Sequence, residues 1–264
     1  MNTKTIDFSK FSSIRIGPTV DVTLIEDDVV PLEHTIVGSA NNLLISPTPP
    51  ALMILSKQYD FIRIEENRLI IGAATPGGRV VSFCKKNNIA HFEYLSKLPG
   101  TLGGMLKMNA GLKEYEIFNH LIELRTQSGW KHKNEIEIGY RKTSINEVVF
   151  EAVFELEAGF SFERLEMFAQ MRSNQPNEAS AGSCFKNPLN DYAGRLIEAV
   201  GLKGKRVGAM AFSDVHANFL VNYGGGTYED ALFLIKEAQK RVLEQFGIEF
   251  QCEVVLLSDT IVTK

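Results

Sequence analysis

The chain has 264 residues, enough for one large domain or two smaller ones, each with its own core. Its 44% hydrophobic and 23% charged content is that of an ordinary globular protein, and a net charge of −4 leaves no basic footprint for nucleic acid or an anionic membrane. No stretch is apolar for long enough to span a bilayer and the N-terminus lacks the apolar run of a signal peptide, so a cytoplasmic protein is expected. The three cysteines, Cys84, Cys184 and Cys252, include no C-x-x-C pair and are expected to be reduced. The five histidines lack the short pairings of a metal site, and no metal is expected.

Taken in chain order, Val20 to Leu24 alternates like a short strand, and Thr35-Ile36-Val37 reads as another. The small residues that follow, Gly38 to Asn42, form a candidate phosphate-binding turn, and Pro47, Pro49 and Pro50 exclude a helix after it. Phe61–Ile64 and Arg68–Ile71 read as a hairpin turned by Glu65-Glu66-Asn67. A short helix is expected after Pro76-Gly77-Gly78, with Val80, Phe83 and Cys84 on one face and a stop at Asn87-Asn88.

The stretch Leu98 to Gly111 is the richest in glycine. Gly100, Gly103, Gly104 and Gly111 are spaced too closely for an ordinary helix interior, which leaves backbone exposure toward a ligand or a tight surface loop as equal readings. Ile122 to Gln127 reads as a strand turned at Ser128-Gly129, and Val148 to Leu156 as a long strand whose glutamates mark one wet face. After Ala158-Gly159 the pattern becomes helical, first over Phe162, Leu165, Phe168 and Met171, then over Leu196, Ile197 and Val200 up to Gly201. The clearest helix starts at Thr227 as N-cap and ends at Gly247. Neither G-x-G-x-x-G after a strand nor G-x-x-x-x-G-K-[ST] occurs, which argues against a Rossmann dinucleotide site and a P-loop.

Several segments carry reactive groups. In Gly139-Tyr140-Arg141 the guanidinium offers a planar fork for a carboxylate or phosphate, or is an ordinary surface arginine. In Ala181-Gly182-Ser183-Cys184-Phe185-Lys186-Asn187-Pro188 the small residues expose the Ser183 hydroxyl beside a cation and an amide; a polar turn explains the same residues. The absence of a G-x-S-x-G elbow disfavours a hydrolase nucleophile. Cys184 points away from Ser183 in an extended segment and reads as core. Glu253 leads an apolar strand, held there for a purpose or simply exposed at its end. His216, Asn218 and Asn222 alternate onto one face, which borders either a polar ligand or water.

Together, in order and spacing, these motifs and Ala193 to Gly204 resemble the UDP-N-acetylenolpyruvoylglucosamine reductase family, from about Ile14 to Leu257. The short span from Arg141 to Ser183 resembles the class without a tyrosine-loop insertion. The resemblance implies an α+β fold: a vanillyl-alcohol-oxidase/PCMH-type two-subdomain FAD-binding region over residues 1–158, with subdomains of about 1–46 and 47–158, followed by a smaller α/β substrate-binding domain over 159–264. It implies NADPH-dependent reduction of UDP-N-acetylglucosamine enolpyruvate on non-covalent FAD in peptidoglycan synthesis, by a monomer whose partner is a UDP-sugar.

Matched residue by residue, the resemblance implies Ser183 as proton donor, with Arg141 and Glu253 stabilising the intermediate. Tyr140, Lys186, Asn187, His216 and Asn218 correspond to substrate contacts. FAD would lie along Gly38, Ser39, Ala40, Asn41, Asn42 and Leu43, along Pro99, Gly100, Thr101, Gly103 and Gly104, and along Asn109 and Gly111, with Arg172 near the flavin. Glu116 keeps an acidic position of the family. The turn Gly38-Ser39-Ala40-Asn41-Asn42 departs from the family's run of three glycines before Ser-Asn. Another FAD oxidoreductase of this fold, or a flavin- or nucleotide-binding protein without activity, are the competing readings.

Overall fold

A computed structural model describes residues 1–31 and 33–259. The chain divides into two compact units, one of residues 1–4, 22–39 and 51–173, the other of 5–21, 40–50 and 174–264. Among the described residues no helix is long and apolar enough to cross a membrane.

The first unit is built on a five-stranded antiparallel sheet in the order Gly129–His132, Leu121–Thr126, Val149–Glu155, Arg68–Gly72, Ile62–Glu65. The hairpin and strand patterns of the sequence are found as expected. Val149–Glu155 differs: it has no wet face, and six of its seven residues are buried. An extra residue at Phe150 breaks its register with Leu121–Thr126, where Arg125 pairs with Glu151 and Thr126 with Val149. Phe150 therefore leaves the layer of Ala152 and Phe154 and joins Ile25, Met53 and Tyr59, stacking on the Tyr59 ring at 5.2 Å. Glu151, buried with it, is neutralised by Arg125 at 2.7 Å and Arg63 at 3.1 Å.

The helices Gly77–Lys86, Leu102–Lys107 and Phe162–Met171 pack into the core of Leu69, Ile71, Leu124, Ala152 and Phe154. The glycine-rich stretch thus holds a short helix that its composition argued against. Its entry is stapled by Leu102 N–H to the Thr75 carbonyl and Gly103 N–H to the Ala73 carbonyl, each 2.9 Å, and Leu102, Met105 and Leu106 are buried. A Cβ on Gly103 would stand 3.2 Å from that of Ala73, so this glycine serves close packing as well as exposure. A smaller parallel sheet pairs Thr23–Ile25 and Thr35–Ile36 with the Leu52–Leu55 strand.

The second unit carries an antiparallel sheet in the order Ala179–Ser183, Phe219–Asn222, Met210–Phe212, Arg206–Val207. Its helices Ala193–Ala199 and Tyr228–Phe246 bury Leu196, Ile197, Leu234, Ile235, Ala238 and Val242. Thr227 Oγ1 accepts from Asp230 N–H and Gly247 closes the long helix in the left-handed conformation, as its sequence requires. Ile14, Ile16 and Leu44 enter the same core from far upstream, and Leu43–Ile45 pairs in parallel with Val255–Leu257.

Candidate active-site residues

In the first unit the arginine candidate sits on a hairpin between Ile138–Gly139 and Lys142–Thr143, a two-residue turn whose second member, Arg141, has φ +54. Non-glycine residues seldom hold that conformation, and its cost of about 1 kcal/mol concentrates at functional positions. The turn aims the guanidinium at the glycine-rich strip: Arg141 donates to the Gly111 carbonyl at 2.8 Å and to the Asn109 carbonyl at 3.4 Å, and lies 5.2 Å from the exposed ring of Tyr140. Asn109 is buried and itself left-handed at φ +45; its Nδ2 donates to Glu116 at 2.8 Å, while its Oδ1 is buried without a hydrogen-bond partner.

The rest of the strip is locked to residues 73–77. The Gly100 carbonyl accepts from Gly77 N–H at 3.0 Å, Thr101 forms a bridge with Pro76, and Pro99 precedes them. Gly38 comes so close to Thr101 that a Cβ would stand 2.7 Å from its Oγ1; Ser39 follows in the same turn. Gly104 is exposed, and a Cβ added there would be in ordinary contact with Thr101 Oγ1 at 3.8 Å. Arg172 is the C-cap of Phe162–Met171. The structure therefore brings Asn109, Gly111, Tyr140 and Arg141 together, and separately Gly38 and Thr101.

In the second unit Ser183 ends the Ala179–Ser183 strand, opposite Phe219, after a register break in which Gly182 takes φ +79. Beyond it the chain is fastened at every step. Cys184 N–H donates to the Asn218 carbonyl at 2.7 Å, Phe185 N–H to Asn218 Oδ1 at 3.0 Å, and Asn218 Nδ2 to the Phe185 carbonyl at 2.8 Å. Lys186 N–H reaches the Gln251 carbonyl at 2.9 Å. Asn187 Oδ1 accepts from Ala193 N–H at 3.0 Å and so caps the Ala193–Ala199 helix.

The carbonyl of Cys184 in turn receives Glu253 N–H at 2.9 Å and Val254 N–H at 3.3 Å. The group that anchors Glu253 thus belongs to the residue next to Ser183. From the other side, Asn42 Nδ2 donates to the Glu253 carbonyl at 2.9 Å. The turn that leads to Asn42 is held by Ser13, whose N–H donates to the Ala40 carbonyl and whose Oγ donates to that of Asn41, both 3.2 Å; Leu43 then pairs with Val255.

His216 and Asn218 precede the Phe219–Asn222 strand in a turn and do not share its alternation. Nδ1 of His216 accepts from Asn218 N–H at 3.3 Å, which leaves the neutral ring's proton on Nε2, and burial lowers its pKa. Burial pushes the Cys184 thiol well up and that of Cys252 to about 11, consistent with core thiols. Asn222, the last of the alternating trio, is structural: its amide donates to the Ile14 carbonyl at 2.9 Å and accepts from Gly224 and Gly226. Among the described residues no cluster of three metal-ligating side chains occurs.

The backbone links through Cys184 and Asn42 escaped sequence reasoning, because carbonyl partners leave no trace in residue identity. Glu116 was visible only as a retained acidic position.

The family profile for the UDP-N-acetylenolpyruvoylglucosamine reductase C-terminal domain matches residues 175–257. UDP-N-acetylenolpyruvoylglucosamine reductase of Campylobacter jejuni is 48% identical over 257 residues, covering 96% of this chain and 99% of that protein. The Helicobacter pylori protein of the same name is 43% identical over 254 residues, covering 96% and 98%. The crystal structure of UDP-N-acetylenolpyruvylglucosamine reductase from Thermus caldophilus has the same mixed α/β fold, with a TM-score of 0.85 at 26% identity over 97% of this chain and 99% of that one.

Proposed function

The chain belongs to the UDP-N-acetylenolpyruvoylglucosamine reductase family, NADPH-dependent oxidoreductases of peptidoglycan precursor synthesis, and from that premise we propose that it binds FAD non-covalently and reduces UDP-N-acetylglucosamine enolpyruvate to UDP-N-acetylmuramate. The observation that carries the residue assignment is the Glu253 N–H bond to the Cys184 carbonyl, which ties the candidate carboxylate to the neighbour of the candidate acid.

The strip of the first unit fits a flavin nucleotide. Asn109 Oδ1 is an orphaned buried acceptor, and FAD carries ring N–H and ribityl hydroxyl donors that would satisfy it. The exposed, side-chain-free backbone at Gly104 admits close approach. Gly38 to Asn41, Leu43, Pro99 to Gly104, Asn109, Gly111 and Arg172 would hold the cofactor, while the side-chain amide of Asn42, in the same turn, is given to the Glu253 carbonyl. The chemistry FAD supplies when bound is hydride transfer, from NADPH and then to the vinyl methylene carbon of the substrate.

The protein's own groups handle the proton and the charge. Ser183 Oγ–H gives its proton to the carbon beside the substrate carboxylate, where a neutral hydroxyl does not compete for the cation. Arg141 is a fork pre-oriented by its hydrogen bonds to Gly111 and Asn109, and with Glu253 it stabilises the enolate-like charge. Tyr140, Lys186, Asn187 and His216 contact phosphate and sugar groups. Flavin binding is assigned to residues 1–158 together with Arg172, and substrate binding to the rest of 159–264, in a monomer.

The test is anaerobic absorbance of the FAD-loaded protein on adding NADPH, then UDP-N-acetylglucosamine enolpyruvate. Bleaching of the flavin band with recovery only on the second addition is expected. Bleaching without recovery rejects the substrate, and no reducible flavin rejects the reading.

A further inference from the structure

We infer that Asn42, in the turn expected to face the cofactor phosphates, is a positioning residue for Glu253. The inference rests on the reading of Glu253 as part of the reaction.

Two peptide groups flank the Cα of Glu253, and both are held. On the N-terminal side its N–H donates to the Cys184 carbonyl at 2.9 Å; on the C-terminal side its carbonyl accepts from Asn42 Nδ2 at 2.9 Å. Fixing both peptide planes fixes φ and ψ, and with them the direction in which the side chain leaves the backbone. The first anchor belongs to the residue after Ser183, so the two bonds together set the carboxylate relative to the hydroxyl.

The need for an asparagine follows from the ladder. Val255–Leu257 pairs in parallel with Leu43–Ile45, and Val255 N–H still reaches the Asn42 carbonyl at 2.9 Å. There the regular pairing of named strand residues stops, two residues short of Glu253. The Asn42 amide extends the hydrogen bonding to Glu253 with a donor that Ala lacks and that ionised Asp replaces by an acceptor. A residue that only lined the cofactor phosphates would owe nothing to Glu253.

The two roles separate by half-reaction. Asn42→Ala and the isosteric Asn42→Asp are loaded with FAD, and flavin reduction by NADPH and reoxidation by UDP-N-acetylglucosamine enolpyruvate are followed by anaerobic stopped flow. Positioning predicts FAD affinity and reduction within about 3-fold of wild type and reoxidation slower by about 10–100-fold. Asn42→Ala added to Glu253→Gln is expected to slow reoxidation no further than Glu253→Gln alone, within about 2-fold, because the residues act as one unit. Independently of activity, the Glu253 amide exchanges its hydrogen faster in Asn42→Ala at an unchanged melting temperature.

Weakened FAD affinity with wild-type reoxidation, equal slowing of both half-reactions, or multiplicative effects in the double variant would each overturn the assignment. If Asn42→Ala fails to fold, the same measurements on Asn42→Asp decide. A wild-type flavin that the substrate fails to reoxidise overturns the functional reading, and this inference with it, before any substitution is made.

Discussion

Asn218 grips Phe185 with both ends of its side-chain amide, accepting the Phe185 N–H at Oδ1 and donating to the Phe185 carbonyl from Nδ2. Its own carbonyl takes Cys184 N–H, so three of the four backbone groups of Cys184 and Phe185 hang on one side chain and its peptide, the fourth being the Cys184 carbonyl that takes Glu253 N–H. Asn218 is 4% exposed, so its hydrogen bonds are shielded from solvent. Asn218→Ala strands two buried peptide groups and is expected to lower the unfolding free energy by about 2–4 kcal/mol. Urea unfolding measures this; a loss under about 0.5 kcal/mol with a raised KM would make Asn218 a substrate contact instead.

Ser183→Ala removes one hydroxyl at the end of a strand and leaves the frame of Cys184, Phe185 and Glu253 untouched. Reduction by NADPH is expected within about 2-fold of wild type, and reoxidation by the enolpyruvyl substrate slower by at least about 100-fold. Equal slowing of both half-reactions removes Ser183 from the acid role. Glu253→Gln is likewise expected to act on the second half-reaction.

Glu147 links stability to pH. Bonds from the Lys131 ammonium and from the Ser128 hydroxyl and N–H hold its carboxyl down to about 2. A depressed carboxylate stabilises the fold above its unfolded pKa and loses that contribution as pH falls through the folded value. Glu147→Gln is expected to cost about 0.5–1 kcal/mol at pH 7. The difference from wild type should shrink between pH 4.5 and about 2 in urea titrations; a difference independent of pH would deny the ion pair.

The thiols are expected to be silent. Burial raises Cys84 to about 12 and Cys252 to about 11, and raises Cys184 as well, so little thiolate is present at pH 8. A disulfide reagent should detect far fewer than one thiol per native chain and all three in urea. Rapid reaction of one native thiol would contradict the burial.

What was legible in the sequence was local. The helix from Thr227 to Gly247 announces itself because its cap, stripe and terminator lie within one segment. Gly139-Tyr140-Arg141 and Ala181 to Pro188 were recognisable as motifs, and the structure builds both on turns or strand ends. Long-range effects were hidden. The register break at Phe150 depends on Leu121–Thr126, and the helix at Leu102–Lys107 depends on carbonyls of Ala73 and Thr75. Asn42 and Glu253 are 211 positions apart and meet through one amide and one carbonyl. Neither partner is unusual in its own neighbourhood.

The second unit is contiguous in space and broken in sequence. Its core needs Ile14, Ile16 and Leu44, Asn222 needs the Ile14 carbonyl, and Val255–Leu257 needs Leu43–Ile45 as a ladder partner. A fragment beginning at residue 174 would expose an unpaired strand edge and an incomplete core, inviting aggregation. Closing the unit also means bringing together segments separated by residues 51–173, an entropic cost that grows slowly with loop length but delays the pairing in time. The half that carries Ser183 and Glu253 therefore cannot be moved as a cassette: grafting it onto another protein requires carrying its upstream strands as well.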